Sequence, residues 1–141
     1  MKNGLLLISC ILAVSLMVSG CSLFESGTSV ALEQEFILEP GATVTIEGQE
    51  LEIKFLGISE DSRCPSDVTC IQAGRALIML DVKLGGNKFY TILVQPGLTQ
   101  TFTEKNYQNE YLFSFVVEPY PVEGQTISAD EYRLRMKVSL L

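Results

Sequence analysis

The chain has 141 residues, with 17 acidic and 10 basic side chains, a formal net charge of −7, and neither histidine nor tryptophan. A negative chain without clustered Lys and Arg lacks the electrostatic footprint of a nucleic-acid binder. The missing histidine excludes Ser-His-Asp and Cys-His nucleophiles and every zinc site that mixes His with Cys, so we expect a non-enzymatic protein with no cofactor and no metal.

The N-terminus reads "MKNGLLLISCILAVSLMVSGC". Lys2 is followed by an uncharged apolar run from Gly4 to Val18, and the small residues Ser19 and Gly20 precede Cys21. A positive end, a short apolar stretch and a small-residue exit are the three parts of a secretory signal. The run falls short of the ~20 residues that a membrane-crossing helix needs, so residues 1–20 are expected to be a signal peptide, helical and removed. The exit "VSGC" resembles the lipobox of bacterial lipoproteins. That resemblance implies that Cys21 becomes the first mature residue and carries palmitate-type acyl chains, a membrane anchor in which each buried methylene contributes ~0.8 kcal/mol. Cys10 leaves with the signal. Residues 21–34, "CSLFESGTSVALEQ", have the Ser, Gly, Thr and Glu content of a flexible tether. With Ser22 rather than aspartate after Cys21, the resemblance favours the outer membrane where the envelope has two.

Loss of residues 1–20 removes one charge, Lys2, and leaves 9 basic and 17 acidic groups, a net of −8. Residues 35–141 then form one domain, large enough for a single hydrophobic core.

The apolar pattern has period two. In "LEIKFLGI", Leu51, Ile53 and Phe55 share a face opposite Glu50, Glu52 and Lys54; in "YRLRMKVSL", Tyr132, Leu134, Met136, Val138 and Leu140 alternate with Arg133, Arg135, Lys137 and Ser139. Such alternation marks strands with one buried and one wet face. "ALIMLDVKL" and "YLFSFVVE" are apolar on both sides, as in central strands. "GGN" at 85–87 supplies the positive φ of a tight hairpin, and "EPGAT", "EGQE" and "QPGL" read as turns. "SADEY" at 128–132 predicts one helical turn capped by Ser128. Strands are expected at 35–38, 43–47, 50–58, 75–84, 88–95, 99–103, 111–118 and 132–140, about seven if the first two form one bent strand. The fold class is all-β: a small antiparallel Ig-like β-sandwich, with a small barrel as the alternative.

"EDSRCPSDVTC" at 60–70 crowds the unusual residues. Outside the cytosol, Cys64 and Cys70 are the pair left to form a disulfide, worth roughly 2–2.5 kcal/mol by chain entropy. The other readings fit less well. Five intervening residues are not redox spacing, and two thiols with scattered aspartates fall short of a zinc site. Asp61 and Arg63 read as a surface ion pair or loop cap of ~1 kcal/mol or less; the alternative makes them the rim of a ligand or partner site. Tyr120, in "EPYPVEG", reads as an aromatic laid over a rigid turn, with a protein-contact tip as its alternative. Tyr107, in "KNYQNEY", is a further candidate for the rim, whereas Tyr111 belongs with Phe113, Phe115 and Val117 on a buried strand face.

"DSRCPSDVTCIQAGRALIMLDV" and the ending "VVEPYPVEGQTISADEYRLRMKV" resemble a family of small secreted bacterial lipoproteins with a D-S-R-C-P-x(4)-C-x-x-A-G-x-A motif. The likeness spans about residues 50–139, and Gln72 stands where the family pattern has tryptophan. The resemblance implies export, the Cys64–Cys70 bridge and an all-β shape, and implies no activity or ligand. The function expected is a lipid-anchored envelope protein acting as a binding or assembly-accessory module with an envelope partner, the alternative being an inhibitor of an exported protease. Replacing Cys21 by Ala is expected to move the protein from the membrane to the soluble fraction on envelope fractionation; unchanged membrane association refutes the acyl anchor.

Overall fold

The computed structural model describes residues 27–141, so the signal segment 1–20 and Cys21 lie outside the described residues. Nine strands form, joined by turns, with no helix among the described residues. One sheet has five strands in the order β1-β3-β4-β5-β6, from Thr28–Val30, Thr43–Ile46, Leu51–Asp61, Arg75–Leu84 and Asn87–Pro96. The other has four in the order β2-β9-β8-β7, from Glu35–Leu38, Arg133–Leu140, Tyr111–Glu118 and Thr103–Tyr107. The sheets stay open at their edges and pack face to face, so the fold is the sandwich and not the barrel.

Period-two alternation builds the core. Leu51, Ile53 and Phe55 of β4 and Ala76, Ile78, Leu80 and Val82 of β5 face Phe113, Phe115 and Val117 of β8 and Leu134, Met136 and Val138 of β9, all buried in one cluster. Each large side chain of this kind contributes about 1.5–3 kcal/mol by leaving water. β8 is covered on both faces, as its composition predicts: Ser114 and Val116 on its outer side are also buried. Part of that cover comes from Arg135, whose stem crosses the outer face to hold its guanidinium 5.8 Å from the Phe102 ring centroid and pair with Glu118.

Two departures from the expected elements have physical causes. The tether was expected to reach residue 34, but Thr28–Val30 pairs in parallel with Val44–Ile46, and Glu33 N–H donates to Val138 O at 2.9 Å. Three residues are too few to display a period. The strand expected at 99–103 instead runs Thr103–Tyr107. As an edge strand, β7 buries only Tyr107 fully and keeps Glu104, Lys105 and Asn106 exposed, so its polar composition resembles a turn. The true turn is at Gln108 and Asn109, with φ 55° and 57°. "GGN" makes the expected hairpin, with φ 55° and 82° at Gly85 and Gly86. "SADEY" makes a turn without a helix, in which the Glu131 carboxylate accepts from Ser128 N–H at 2.6 Å.

Strand β4 carries two bulges, between Phe55 and Gly57 and between Ile58 and Glu60. Each extra residue reverses which face the following side chains take. Two reversals cancel, so Asp61, opposite Ala76, returns to the inner face that Phe55 occupies. This places a carboxylate at the mouth of the core.

Candidate functional site

The bridged loop, Asp61, Arg63 and Tyr120 gather at one end of the sandwich; Tyr107 does not. It sits on the hairpin that opens β8, whereas Arg63 reaches the far end of that strand, roughly 20 Å away at ~3.4 Å per residue. Tyr107, expected at a rim, is buried and stacked on Phe113 with ring centroids 4.7 Å apart. Its hydroxyl and that of Thr103 are buried without a hydrogen-bond partner. Tyr111 is buried in the core, as expected.

Arg63 corrects the surface-pair expectation: the guanidinium side chain is 0 % exposed and its Asp61 partner 9 %. The cause lies in β8. Strand β7 begins only at Thr103, opposite Phe115, so beyond that point β8 keeps β9 on one side and has no strand on the other. Val117 N–H donates to the Gln95 side-chain Oε1 at 2.7 Å, and Val117 O accepts from Arg63 Nη1 at 2.9 Å. Two residues on, Pro119 O accepts from Arg63 Nη2 at 3.0 Å. Arg63 and Gln95 together stand in for the absent strand, because a buried backbone group left unpaired costs about as much as a lost hydrogen bond.

Asp61 holds the guanidinium in place. Its carboxylate accepts from Arg63 Nε at 2.8 Å, Arg63 Nη2 at 2.6 Å, the Arg63 backbone N–H at 3.2 Å and the Tyr132 hydroxyl at 3.0 Å. These four bonds fill the acceptor capacity of a carboxylate. Tyr120 closes the arrangement, its ring centroid 5.1 Å from Arg63 Cζ and its hydroxyl donating to Gly97 O. A cleft of about 390 Å³ opens here, lined by Asp61, Arg63, Pro65, Ile127 and Tyr132 among others. Asp61 and Arg63 are spent on one another and on backbone, which leaves Glu123, whose backbone N–H is engaged by Asp67, as the other charged residue of the lining. The Asp61–Arg63 pair fixes geometry, its carboxylate and guanidinium being engaged by each other, by Tyr132 and by the β8 backbone.

Protonation follows the same contacts. Burial pushes the Asp61 carboxyl up, but the hydrogen bonds and charge of Arg63, with the Tyr132 hydroxyl, outweigh it and hold the pKa below the ordinary carboxylate value. Tyr132 is pushed up to about 12, first by burial and then by the charge and hydrogen bond of Asp61.

Cys64 and Cys70 form the disulfide, with Cα atoms 5.9 Å apart, inside the usual range. The loop it closes is tied on three sides. Cys64 N–H donates to Ala73 O at 2.9 Å, Ser66 N–H to Pro121 O at 3.0 Å, and Glu123 N–H to Asp67 Oδ1 at 2.9 Å. Gly97 N–H donates to Gly74 O at 3.0 Å, bringing the β6–β7 turn against the loop. A Cβ on Gly74 would collide with Ser62 O, and one on Gly97 with Ala73 O, so both glycines are required by close backbone approach. From this rigid base Ile71 and Leu98 project into solvent, 105 % and 71 % exposed.

Gln95, Tyr132, Gly97, Ile71 and Leu98 escaped sequence reasoning as site residues. Gln95 left a trace: in "TILVQP" it is a lone amide at the inward parity of a strand, the pattern of a buried polar group that needs partners. The other four left no comparable trace. No family model, curated protein or solved structure matches the chain.

Replacing Arg63 by Ala is expected to cost about 3–5 kcal/mol, measured by urea denaturation, since it strands a buried carboxylate and two carbonyls. Arg63→Lys is expected to recover only part of this loss, because an ammonium cannot span the fork of acceptors. For pH, a phenol whose folded pKa is raised stabilises the fold fully below its unfolded value, and the benefit fades as pH climbs through the folded one. The Tyr132 contribution is therefore present below pH 10 and lost towards about 12. Tyr132→Phe is expected to flatten that part of the stability–pH curve. Asp61 has the opposite sign: its contribution fades as the solution is acidified below the ordinary carboxylate range.

Proposed function

We propose that this chain is a lipid-anchored protein of the cell envelope, held on the extracytoplasmic side by acyl chains on Cys21, whose sandwich is a non-enzymatic binding or assembly-accessory module. In a two-membrane envelope the anchor lies in the outer membrane. The observation that carries the binding role is the pair of aliphatic side chains Ile71 and Leu98, exposed on loops tied together through Gly74 and Gly97 and stapled by the disulfide. A large apolar side chain in water gains by burial against a partner, and a base already rigid pays little entropy on docking. Loops positioned by a stiff scaffold are where recognition commonly sits.

A second reading, an inhibitor of an exported protease, draws support from the joining of the 62–74 and 118–124 loops by the Ser66–Pro121 and Glu123–Asp67 hydrogen bonds. A covalently closed, protruding loop resists distortion in a protease cleft. Failure to inhibit a panel of exported proteases removes this reading and leaves the first intact.

The test is crosslinking and co-purification from intact envelopes with the wild-type chain and with the Ile71→Asp, Leu98→Asp double variant. A specific partner recovered by the wild type and reduced at least tenfold by the variant, with its thermal midpoint unchanged, is the expected result. No specific partner, or one retained by the double variant, overturns the assignment of these residues.

A further inference from the structure

The four edge strands among the described residues are guarded unequally. β1, β2 and β7 have 3, 4 and 5 residues. β2 carries Glu35, and β7 carries Glu104 and Lys105. Short length and charge are the usual protection of a sheet edge. β6 has neither. It runs 10 residues from Asn87 to Pro96, pairs with β5 on one side along its whole length and ends the five-stranded sheet on the other. Its single charge is Lys88, near its start.

The side chains on this edge are apolar and exposed: Tyr90 60 %, Ile92 46 %, Val94 47 % and, on the inner side, Phe89 37 %. Cross-strand register continues the outer-face stripe inward, with Val94 opposite Leu77 and Ile92 opposite Met79, both half-buried. The charges on that outer face are unlike those of the whole chain. Cations Lys54, Arg75, Lys83 and Lys88 slightly outnumber acids Glu52, Glu60 and Asp81 there, against a chain total of −7. Most of these charges are matched in place: Glu52 lies opposite Lys83, Lys54 opposite Asp81, and Arg75 pairs with Glu60 at 3.5 Å. The excess negative charge therefore lies elsewhere, and this face can meet its own copy without the repulsion that net charge would impose.

We propose that the β6 edge pairs with the β6 edge of a second copy of this chain, antiparallel and two-fold symmetric about Ile92, joining two five-stranded sheets into one. The register follows from the residues. Centred on Ile92, Tyr90 of each copy meets Val94 of the other and Ile92 meets Ile92, while Lys88 faces Pro96 rather than another charge. Centring on Thr91 would set Val94 against Lys88, and centring on Leu93 would set Tyr90 against Pro96, so of these registers only the Ile92 centre pairs the three large apolar side chains among themselves. The exposed apolar surface is on the order of 400 Å² per copy, about half of the ~800 Å² that a standard interface buries on each side. The unpaired backbone of β6 supplies the remaining contact as ladder hydrogen bonds. A pair of this size is weak in dilute solution and forms where copies are concentrated.

Register-specific cysteine crosslinking in the full-length chain, exported in cells, tests this. Residues opposite one another in an antiparallel ladder lie ~4.5–5.5 Å apart at Cα, within disulfide reach. Under mild oxidation Ile92→Cys is expected to link to itself. Tyr90→Cys and Val94→Cys each are expected to link at least tenfold less alone, yet to link to one another when co-expressed. The chain with no added cysteine sets the background, and Ser29→Cys, exposed on the opposite edge of the same sheet, reports random collision. Ile92→Cys linking no faster than Ser29→Cys overturns the proposal. So does equal self-linking at all three β6 positions, or capture of a different protein by Ile92→Cys in place of the second copy. Ile92→Glu, which sets like charges face to face, is expected to weaken self-association of the purified chain at least tenfold by sedimentation while leaving its thermal midpoint near wild type. Unchanged self-association in that variant also overturns it.

Discussion

A strand that outruns its neighbour leaves backbone donors and acceptors facing the protein interior, and β8 does so beyond Phe115. The remedy is a guanidinium pushed into the gap, with an amide from the opposite sheet beside it. Much of the architecture at that end follows. A buried cation needs a counter-charge, so Asp61 must point inward, a parity with Leu51, Ile53 and Phe55 that the two bulges of β4 together leave unchanged. The carboxylate keeps a remaining acceptor site, which Tyr132 fills. The cation face is covered by Tyr120, whose hydroxyl reaches the turn after β6. One missing strand segment thus recruits residues from four separate parts of the chain and draws both sheets together.

Charge pairs of this kind seldom add much to stability when compared with well-packed hydrocarbon. Their value here is positional. Hydrocarbon could fill the space but could not satisfy Val117 and Pro119, and the two carbonyls fix where the segment preceding the disulfide must lie. The covalent bridge begins at the residue after Arg63, so the stapled loop is carried on a base that is itself determined by the β8 edge. What lies beneath the loop is structural, and what projects above it is free to be read by another molecule.

Sequence made the sandwich legible where a residue's role depends on its parity. Alternation in 51–58 and 132–140 reports a buried face directly, and the double-sided apolar run at 111–118 reports a central strand. The cysteine pair was readable because, on the expectation that Cys10 leaves with a signal peptide and Cys21 carries an anchor, two cysteines allow one connectivity. Legibility failed where a residue's surroundings come from distant chain. Nothing near Arg63 in sequence says that β7 begins only at Thr103, and that late start is why the side chain is buried. Tyr107 sits among Lys105, Asn106, Gln108 and Asn109, neighbours that suggest a wet loop; its burial is due to Phe113 across the hairpin. β1 was missed for want of length, and its partners in β3 lie sixteen residues further along the chain. Exposure of Ile71 was equally hidden, since an aliphatic residue beside a cysteine reads as core.

The direction in which the chain enters the sheet also governs how the domain responds to force. β1 runs parallel to β3 from Thr28 to Val30. A tug on the polypeptide ahead of Gly27, directed back along the strand axis, loads the hydrogen bonds of that short ladder in shear, all together. The same tug across the axis would unzip them singly. Three residues of parallel pairing are a slight element thermodynamically, but aligned with the line of tension they act as a mechanical clasp between whatever holds the leading end and the body behind it.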